Sequence, residues 1–490
     1  MTSLARFGTV RQKTHPIHPA EKRLLGIVLL HLCFLPWALG TMHVWSQAIS
    51  FSLSALEFAI ALRRRDYGAE LTHDGRAYRL VMWPKLMKFP IFWIGVVFLL
   101  YILIQALNPA WRYVAYDSSW WLVRMPHIAW LPTGMITPVA LASPWRSLMI
   151  YGSAWMTPCA LWVGFTRRRT LRIFFFVLAC NAFALALLGI SERALHADLI
   201  FWSWRPPAGY FVASFIYKNH AGAYFDLLLS LSVALAVWHY TDPRSRLKKS
   251  NPSGLFVLFS LALALIVFYS YSRTATILML FLFVLVLLLL IGTLIRQGRS
   301  QRPGVIALLC CTTFGALGAL GLTLLPTKEV LAHMDELVKV YQSPAPGARQ
   351  LATRATLDLV RDSPVYGWGA GSFRFAFPIH QPDYPAIYIQ DGKHLYWEHA
   401  HNDYVELLAE LGLVGTAILA LGGICWLVIL CRTSFWRNPL SLILFTGCVI
   451  TLVHSTVDFN FYNPAILITW CAFLSAIARW AELNRSASNS

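Results

Sequence analysis

The stretch ATILMLFLFVLVLLLLIGTLI, residues Ala275–Ile295, holds no charged side chain and no proline. A helix needs about 20 mostly apolar residues to cross ~30 Å of hydrocarbon, and this run supplies them. Similar runs recur along the chain. Twelve read as spans: roughly Leu24–Gly40, Val44–Leu62, Phe89–Leu107, Leu148–Phe165, Ile173–Ile190, His220–Tyr240, Leu255–Ser270, Ala275–Ile295, Val305–Leu325, Asp403–Leu430, Leu440–Val457 and Ala465–Trp480. The start of the tenth, Asp403 to Glu410, is amphipathic and reads as interfacial. The expected fold is all-α, a polytopic integral membrane protein of about twelve transmembrane helices.

Composition points the same way. Of 490 residues, 57% are hydrophobic and 13% charged, while 41 Lys+Arg against 23 Asp+Glu give a net charge of +18. Soluble proteins carry about 25% charged residues. Few charges with a basic excess fit a membrane protein with basic inner loops. A nucleic-acid binder would concentrate its cations in a soluble domain. A disulfide scaffold is excluded too, because all nine Cys lie in or beside apolar runs, where a thiol behaves as a small hydrophobe. No cleavable signal peptide is expected, since no small-residue cleavage pattern follows a short apolar core.

The basic residues set the orientation. With both termini inside, twenty-seven of the 41 Lys and Arg fall in inner segments. Arg63-Arg64-Arg65 and Arg167-Arg168-Arg169 stand directly at span ends, where the positive-inside rule has most force. Three sizeable segments are then outside: Asn108–Ser147, Glu192–Asn219 and Pro326–Asn402. Their Trp111, Trp120, Trp121, Trp130, Trp202 and Trp204 suit an aromatic belt at the headgroups, or stacking on sugar faces; the sequence does not separate the two. With no repeat or separate soluble unit, residues 1–490 read as one membrane domain, with 326–402 as a large helical loop capping it.

Cations on the outer side run against the charge rule and each needs a reason. Lys218 ends an outer segment, and Arg273 lies between two apolar runs with almost no loop. Either snorkels to the interface, or faces a cavity or an anionic ligand. In the long loop, Lys328–Tyr341 and Gln350–Arg361 are helix-compatible, and Leu351, Ala355 and Leu359 form the apolar side of the second. Arg354 stands four residues before Asp358, so a surface ion pair is one reading of it. Gly367, Gly369 and Gly371 permit tight turns and close backbone approach. His399 and His401 stand near carboxylates, Glu398 and Asp403 among them. Residues at i and i+2 converge poorly on a helix, so general base chemistry is favoured over metal binding, with a structural histidine as the plain alternative. Asp458, in His454-Ser455-Thr456-Val457-Asp458-Phe459, either orients a cation or caps the turn to Asn463.

The run from His401-Asn402-Asp403 to Glu410-Leu411-Gly412 closely resembles the signature of the O-antigen ligase superfamily. Other elements follow in the family's order. Ser214 to His220, Ser272-Arg273-Thr274, Arg354 with Pro364 to Gly369, and His454 to Phe459 each resemble a family element. The resemblance covers about 208–480.

That resemblance implies a bacterial inner-membrane glycosyltransferase with both termini cytoplasmic and its active site facing the periplasm. It implies a glycan donor on undecaprenyl diphosphate and inverting, metal-independent transfer with no cofactor. A ligase passes the glycan to lipid A–core; an O-antigen or exopolysaccharide polymerase passes it to a lipid-linked acceptor by the same chemistry. His401 is the expected general base, with Arg273 and Lys218 on the diphosphate. Glu398 or Asp403 is expected to orient His401 or to be the base itself. Arg354, Asn219, His220, Asn402, Glu398, Asp403 and Asp458 complete the expected substrate-binding set. The family usually has Arg where this chain has Lys218, and Lys keeps the charge without the bidentate fork. A lipid-linked glycan transporter is a further alternative, but repeated halves and mid-membrane breaks are not evident. A purely structural membrane component is disfavoured by the outer cations. Membrane lipids are expected partners and nucleic acid is not; the sequence leaves the oligomeric state open.

Overall fold

In the computed structural model, residues 17–68, 77–117, 119–206, 210–241, 251–296, 347–390 and 393–488 are described. Twelve long helices order these residues: α1 Pro19–Trp37, α2 Val44–Ala61, α3 Pro90–Leu107, α4 Pro144–Gly164, α5 Arg168–Ala194, α6 Lys218–Thr241, α7 Ser253–Tyr269, α8 Arg273–Arg296, α9 Ala348–Asp362, α10 Asp403–Thr433, α11 Pro439–His454 and α12 Pro464–Ser488. All but α9 coincide with expected spans. Seven of them are long and apolar enough to cross a membrane: α2, α3, α5, α6, α8, α10 and α12; α7 and α11 are shorter apolar helices. The ninth expected span, Val305–Leu325, and the helix expected at Lys328–Tyr341 lie outside the described residues.

Local sequence explains where these helices start. Five begin on proline, whose fixed φ and missing N–H suit the first helical turn. Ser143, Asn402 and Asn438 accept first-turn N–H groups as side-chain caps. Helix α6 is the central one, buried along almost its whole length against α7 and α11. Gly447 of α11 packs directly on Ser230 of α6, leaving no room for a side chain.

The two ends of the bundle differ in chemistry. At one end the fully buried Arg65 donates to Glu21 Oε2 at 2.9 Å and to Gly164 O at 2.7 Å. Glu21 also accepts from Thr166 N, Arg167 N and the Thr170 hydroxyl. A buried charge pair needs this many partners to offset its desolvation. The other end carries the cap. There the fold departs from an all-α expectation. A two-stranded ribbon, β1 Arg65–Tyr67 with β2 Tyr78–Leu80, closes the first end, and a three-stranded sheet builds the cap. In that sheet β3 Pro109–Tyr116 lies between antiparallel β4 Ser119–Arg124 and parallel β5 Gly134–Ile136. Alternation explains it: Trp111 and Tyr113 share one face, against Trp368 at 5.9 Å and Phe375 at 4.6 Å between ring centres.

Helix α10 is two helices joined at Gly412, whose φ of +64° and ψ of −173° leave the helical region. Such a break frees backbone groups that must find partners. Trp368 N and Gly369 N take the carbonyls of Ala409 and Glu410 at 2.9 and 2.8 Å. Tyr101 OH on α3 donates to Leu411 O at 2.6 Å. Leu413 N and Val414 N turn to Pro364 O and Val365 O. A β-carbon on Gly412 would fall 2.4 Å from Val365 O, and one on Gly367 2.4 Å from Glu410 O. The glycines around residue 367 therefore let one chain segment dock on the broken helix. The upper half-helix, Asp403 to Leu411, was expected to be interfacial, yet it buries Asp403, Glu406 and Glu410.

Candidate functional site

The turn from Ser455 to Asn463 joins α11 to α12 at the cap end, and Asp458 lies buried in it. Its Oδ1 accepts from Phe459 N at 2.9 Å and lies 3.6 Å from His401 Nδ1. Its Oδ2 accepts from Asn219 Nδ2 and from Tyr217 OH, the latter at 3.4 Å, and lies 3.6 Å from Arg349 Nη2. Four separated segments thus meet on one carboxylate. Burial alone would raise the Asp458 pKa; the His401 side chain, the Arg349 guanidinium and His454 together hold it well below the usual carboxylate range. The group is ionised.

His401 has φ of +54°, a left-handed conformation that costs a non-glycine residue energy. Its ring meets Phe459 at 5.0 Å and Trp397 at 5.4 Å, both edge-on. Nδ1 is the nitrogen nearest Asp458, so Nε2 is the one left for chemistry, and a fifth of the side chain is exposed. Glu406 holds this loop in its strained form. Fully buried, it takes His399 Nδ1 at 2.7 Å on one oxygen and Ala400 N at 2.6 Å on the other. His399 stacks flat on Phe459 at 4.1 Å. Burial lowers the His399 pKa to about 4, partly offset by neighbouring carboxylates. The two histidines therefore serve different carboxylates. Among the described residues no group of three or more His, Cys, Asp or Glu is arranged to hold a metal.

The other expected residues occupy definite places. His220 Nε2 lies 3.1 Å from Phe459 O and its Nδ1 3.4 Å from Asn463 Nδ2, bracing the turn. Asn402 caps α10 by accepting from Tyr404 N and Val405 N. Asp403 grips the same turn, its N donating to Ser455 O at 3.0 Å and its Oδ2 accepting from Phe461 N at 3.0 Å. Glu398 pairs with Arg374 at 2.9 Å; the carboxylate beside His401 is Asp458 rather than Glu398 or Asp403. Arg354 is exposed on α9, and Asp358 pairs with Arg361 instead. It is Arg349, a turn and a half earlier on that helix, that reaches Asp458. Spacing along the chain offers no means of choosing between these two arginines.

Lys218 and Arg273 are the first residues of α6 and α8. These helix starts pack closely: a β-carbon on Gly222 would fall 2.7 Å from Ala275 Cβ and 3.1 Å from Ser272 Cβ. Lys218 Nζ lies over the Tyr210 ring at 5.5 Å. Its neighbours Tyr217 and Asn219 both reach Asp458, so a single three-residue segment joins Lys218 to the His401 cluster.

Residues 258–420 match a family model described as O-antigen ligase. This segment is similar to the O-antigen ligase family. The O-antigen ligase segment runs from α7 into α10 and carries Arg273, Arg349, His399, His401 and Glu406. Asn219 and Asp458 lie outside it, yet both bear on its histidine. No curated protein matches the chain. The match, together with seven helices long and apolar enough to cross a membrane, fits a multi-pass membrane protein.

Proposed function

We propose that the chain is a glycosyltransferase of the O-antigen ligase type, moving a glycan from undecaprenyl diphosphate to a hydroxyl of lipid A–core at the periplasmic face of the bacterial inner membrane. The observation that carries this reading is the meeting of His401, Asn219 and Arg349 on the ionised Asp458, one segment away from Lys218. In this scheme His401 Nε2 takes the proton of the acceptor hydroxyl. The acceptor oxygen attacks the anomeric carbon opposite the phosphate. The carbon–oxygen bond to the diphosphate breaks, its electron pair leaves with the diphosphate, and the anomeric configuration inverts. Asp458 stabilises the imidazolium that forms. Lys218 and Arg273 balance charge growing on the leaving group, an effect that counts for more at a partly buried position than in water. Cationic side chains take the role a metal would otherwise fill, so the scheme uses none.

The test is purified protein in nanodiscs with a lipid-diphosphate glycan as donor. His401→Ala, Arg273→Ala and Asp458→Asn are each expected to lower turnover by on the order of 10²-fold or more at wild-type protein levels. Full activity in His401→Ala and Arg273→Ala would overturn the scheme. Deleting the gene identifies the acceptor. Polymer accumulating on carrier lipid without capped core means a ligase, while single repeat units still attached to core mean a polymerase.

A further inference from the structure

The start of α5 carries Arg167, Arg168, Arg169 and Arg172, at the end of the bundle that holds the Arg65–Glu21 pair. Arg167 lies over the Tyr67 ring at 5.8 Å and Arg168 over the Trp480 ring at 5.7 Å. Arg169 is exposed and stands between two clefts. One cleft, of about 410 Å³, lies between α5, the end of α6 and the starts of α7 and α11. Phe176, Trp238, Phe256 and Leu440 wall it, and Arg169 and Arg172 are its arginines. The other, of about 320 Å³, lies between α1 and α5, with Leu25, Gly26 and Leu29 as walls and Lys22 and Arg169 as its cations. Arg169 and Ile173 line both clefts. Four residues apart on one helix, they form a single ridge, with the charge at its outer end and a branched apolar side chain about one turn deeper.

A plainer role accounts for part of this. Cations gather at the ends of spans to set orientation, and that explains the charge. It requires neither an apolar cleft on each side of Arg169 nor a ridge shared by both. A cation in the first turn of α5 also opposes the helix dipole, and an anion held there offsets that cost. Lys22 and Arg169 take part in no ion pair among the described residues. On the α1 side the cleft is open: a β-carbon added to Gly26 would meet nothing within 4 Å.

We propose that the Arg169–Ile173 ridge seats one anionic diacyl phospholipid, its phosphate on Arg169 beside Lys22 and its two chains in the two clefts. The charge selects the headgroup, and the paired apolar clefts select the chains. Basic pockets between spans, at the level of the headgroups, are where anionic lipids dock on membrane proteins. Arg169 brings a planar fork able to hold two phosphate oxygens, and Lys22 brings a point charge from the neighbouring helix. A soluble phosphate would use the cations and leave both clefts unused.

Titration of delipidated full-length protein in detergent with phosphatidylglycerol, read by native mass spectrometry, tests this. Wild type is expected to retain one phosphatidylglycerol about tenfold more tightly than phosphatidylcholine, which has the same phosphate and no net charge, and glycerol phosphate should not displace it. Arg169→Gln is expected to weaken binding about tenfold, the scale of one lost charge-assisted contact. Gly26→Trp fills one cleft and leaves every charge in place, and should weaken binding about threefold or more. Arg437→Gln removes an exposed cation at the same end, outside both clefts, and should bind as wild type does. Equal affinity for the two lipids, displacement by glycerol phosphate, or binding by Arg169→Gln within twofold of wild type overturns the proposal. So does an equal loss in Arg437→Gln, which would mean diffuse surface charge, or wild-type affinity in Gly26→Trp. Where Gly26→Trp does not give folded protein, Gly26→Leu takes its place with the same expectation.

Discussion

Arg349 and Asp458 stand 3.6 Å apart, although one is half-exposed on a cap helix and the other is buried between the last two helices of the bundle. Arg349 also donates from Nη1 to Val457 O at 2.8 Å, so the guanidinium is held from both sides of the turn. A partly exposed pair contributes about 1 kcal/mol or less to stability. Its effect is felt at the carboxylate that faces His401. Arg349→Ala is therefore expected to leave the melting temperature within a few degrees of wild type while lowering turnover about tenfold, and Arg349→Lys to retain most activity. Steady-state kinetics with a thermal melt on the same preparation check both halves.

Stability should rise with pH between about 4 and 6.5 because of His399. Its folded pKa is lowered to about 4 by burial. In that window the unfolded chain holds a proton that the folded chain does not, so raising the pH favours folding, by up to about 3 kcal/mol. His399→Gln removes the titration and keeps a hydrogen-bond donor for Glu406. Its melting temperature should depend less steeply on pH than that of wild type over this window; an equal slope would show that other groups carry the dependence.

Gly412→Ala should cost about 2–4 kcal/mol, because the residue needs a positive φ and its β-carbon would press on Val365 O. Gly423→Ala, lower on the same helix with nothing within 4 Å of the added carbon, is the control and should be neutral or slightly stabilising. Denaturation in detergent compares the two variants.

Asn402 distinguishes a cap from a substrate contact. Asn402→Ala should lose about 1 kcal/mol of stability and a part of the activity, whereas Asn402→Ser keeps an oxygen for Tyr404 N and Val405 N and should restore both. Restored stability without restored activity would assign the amide to the substrate.

The helical part of the fold was legible because membrane helices declare themselves in uninterrupted apolar runs, and eleven such runs coincide with described helices. The sheet at 109–136 was not, because its short strands carry the Trp and Tyr that a membrane interface would also use. The site was legible in its residue types and only partly in its pairings. His401 and Asp458 were both singled out, but they come together through a turn 57 residues further along the chain, and no local spacing encodes that. Arg354 and Arg349 share one helix, and only the docking of that helix on the bundle decides which of them faces Asp458. Glu406 was passed over because a glutamate in an amphipathic stretch reads as solvated; its burial becomes visible only once His399 and Ala400 are folded over it.

The break at Gly412 works as a splice. Trp368 N and Gly369 N hold the half-helix behind His401, the carbonyls of Pro364 and Val365 hold Leu413 N and Val414 N beyond the break, and Tyr101 holds Leu411 between them. The reacting histidine is thereby referenced to the cap segment and to α3 as well as to its own membrane-length continuation, so its alignment does not depend on α10 alone.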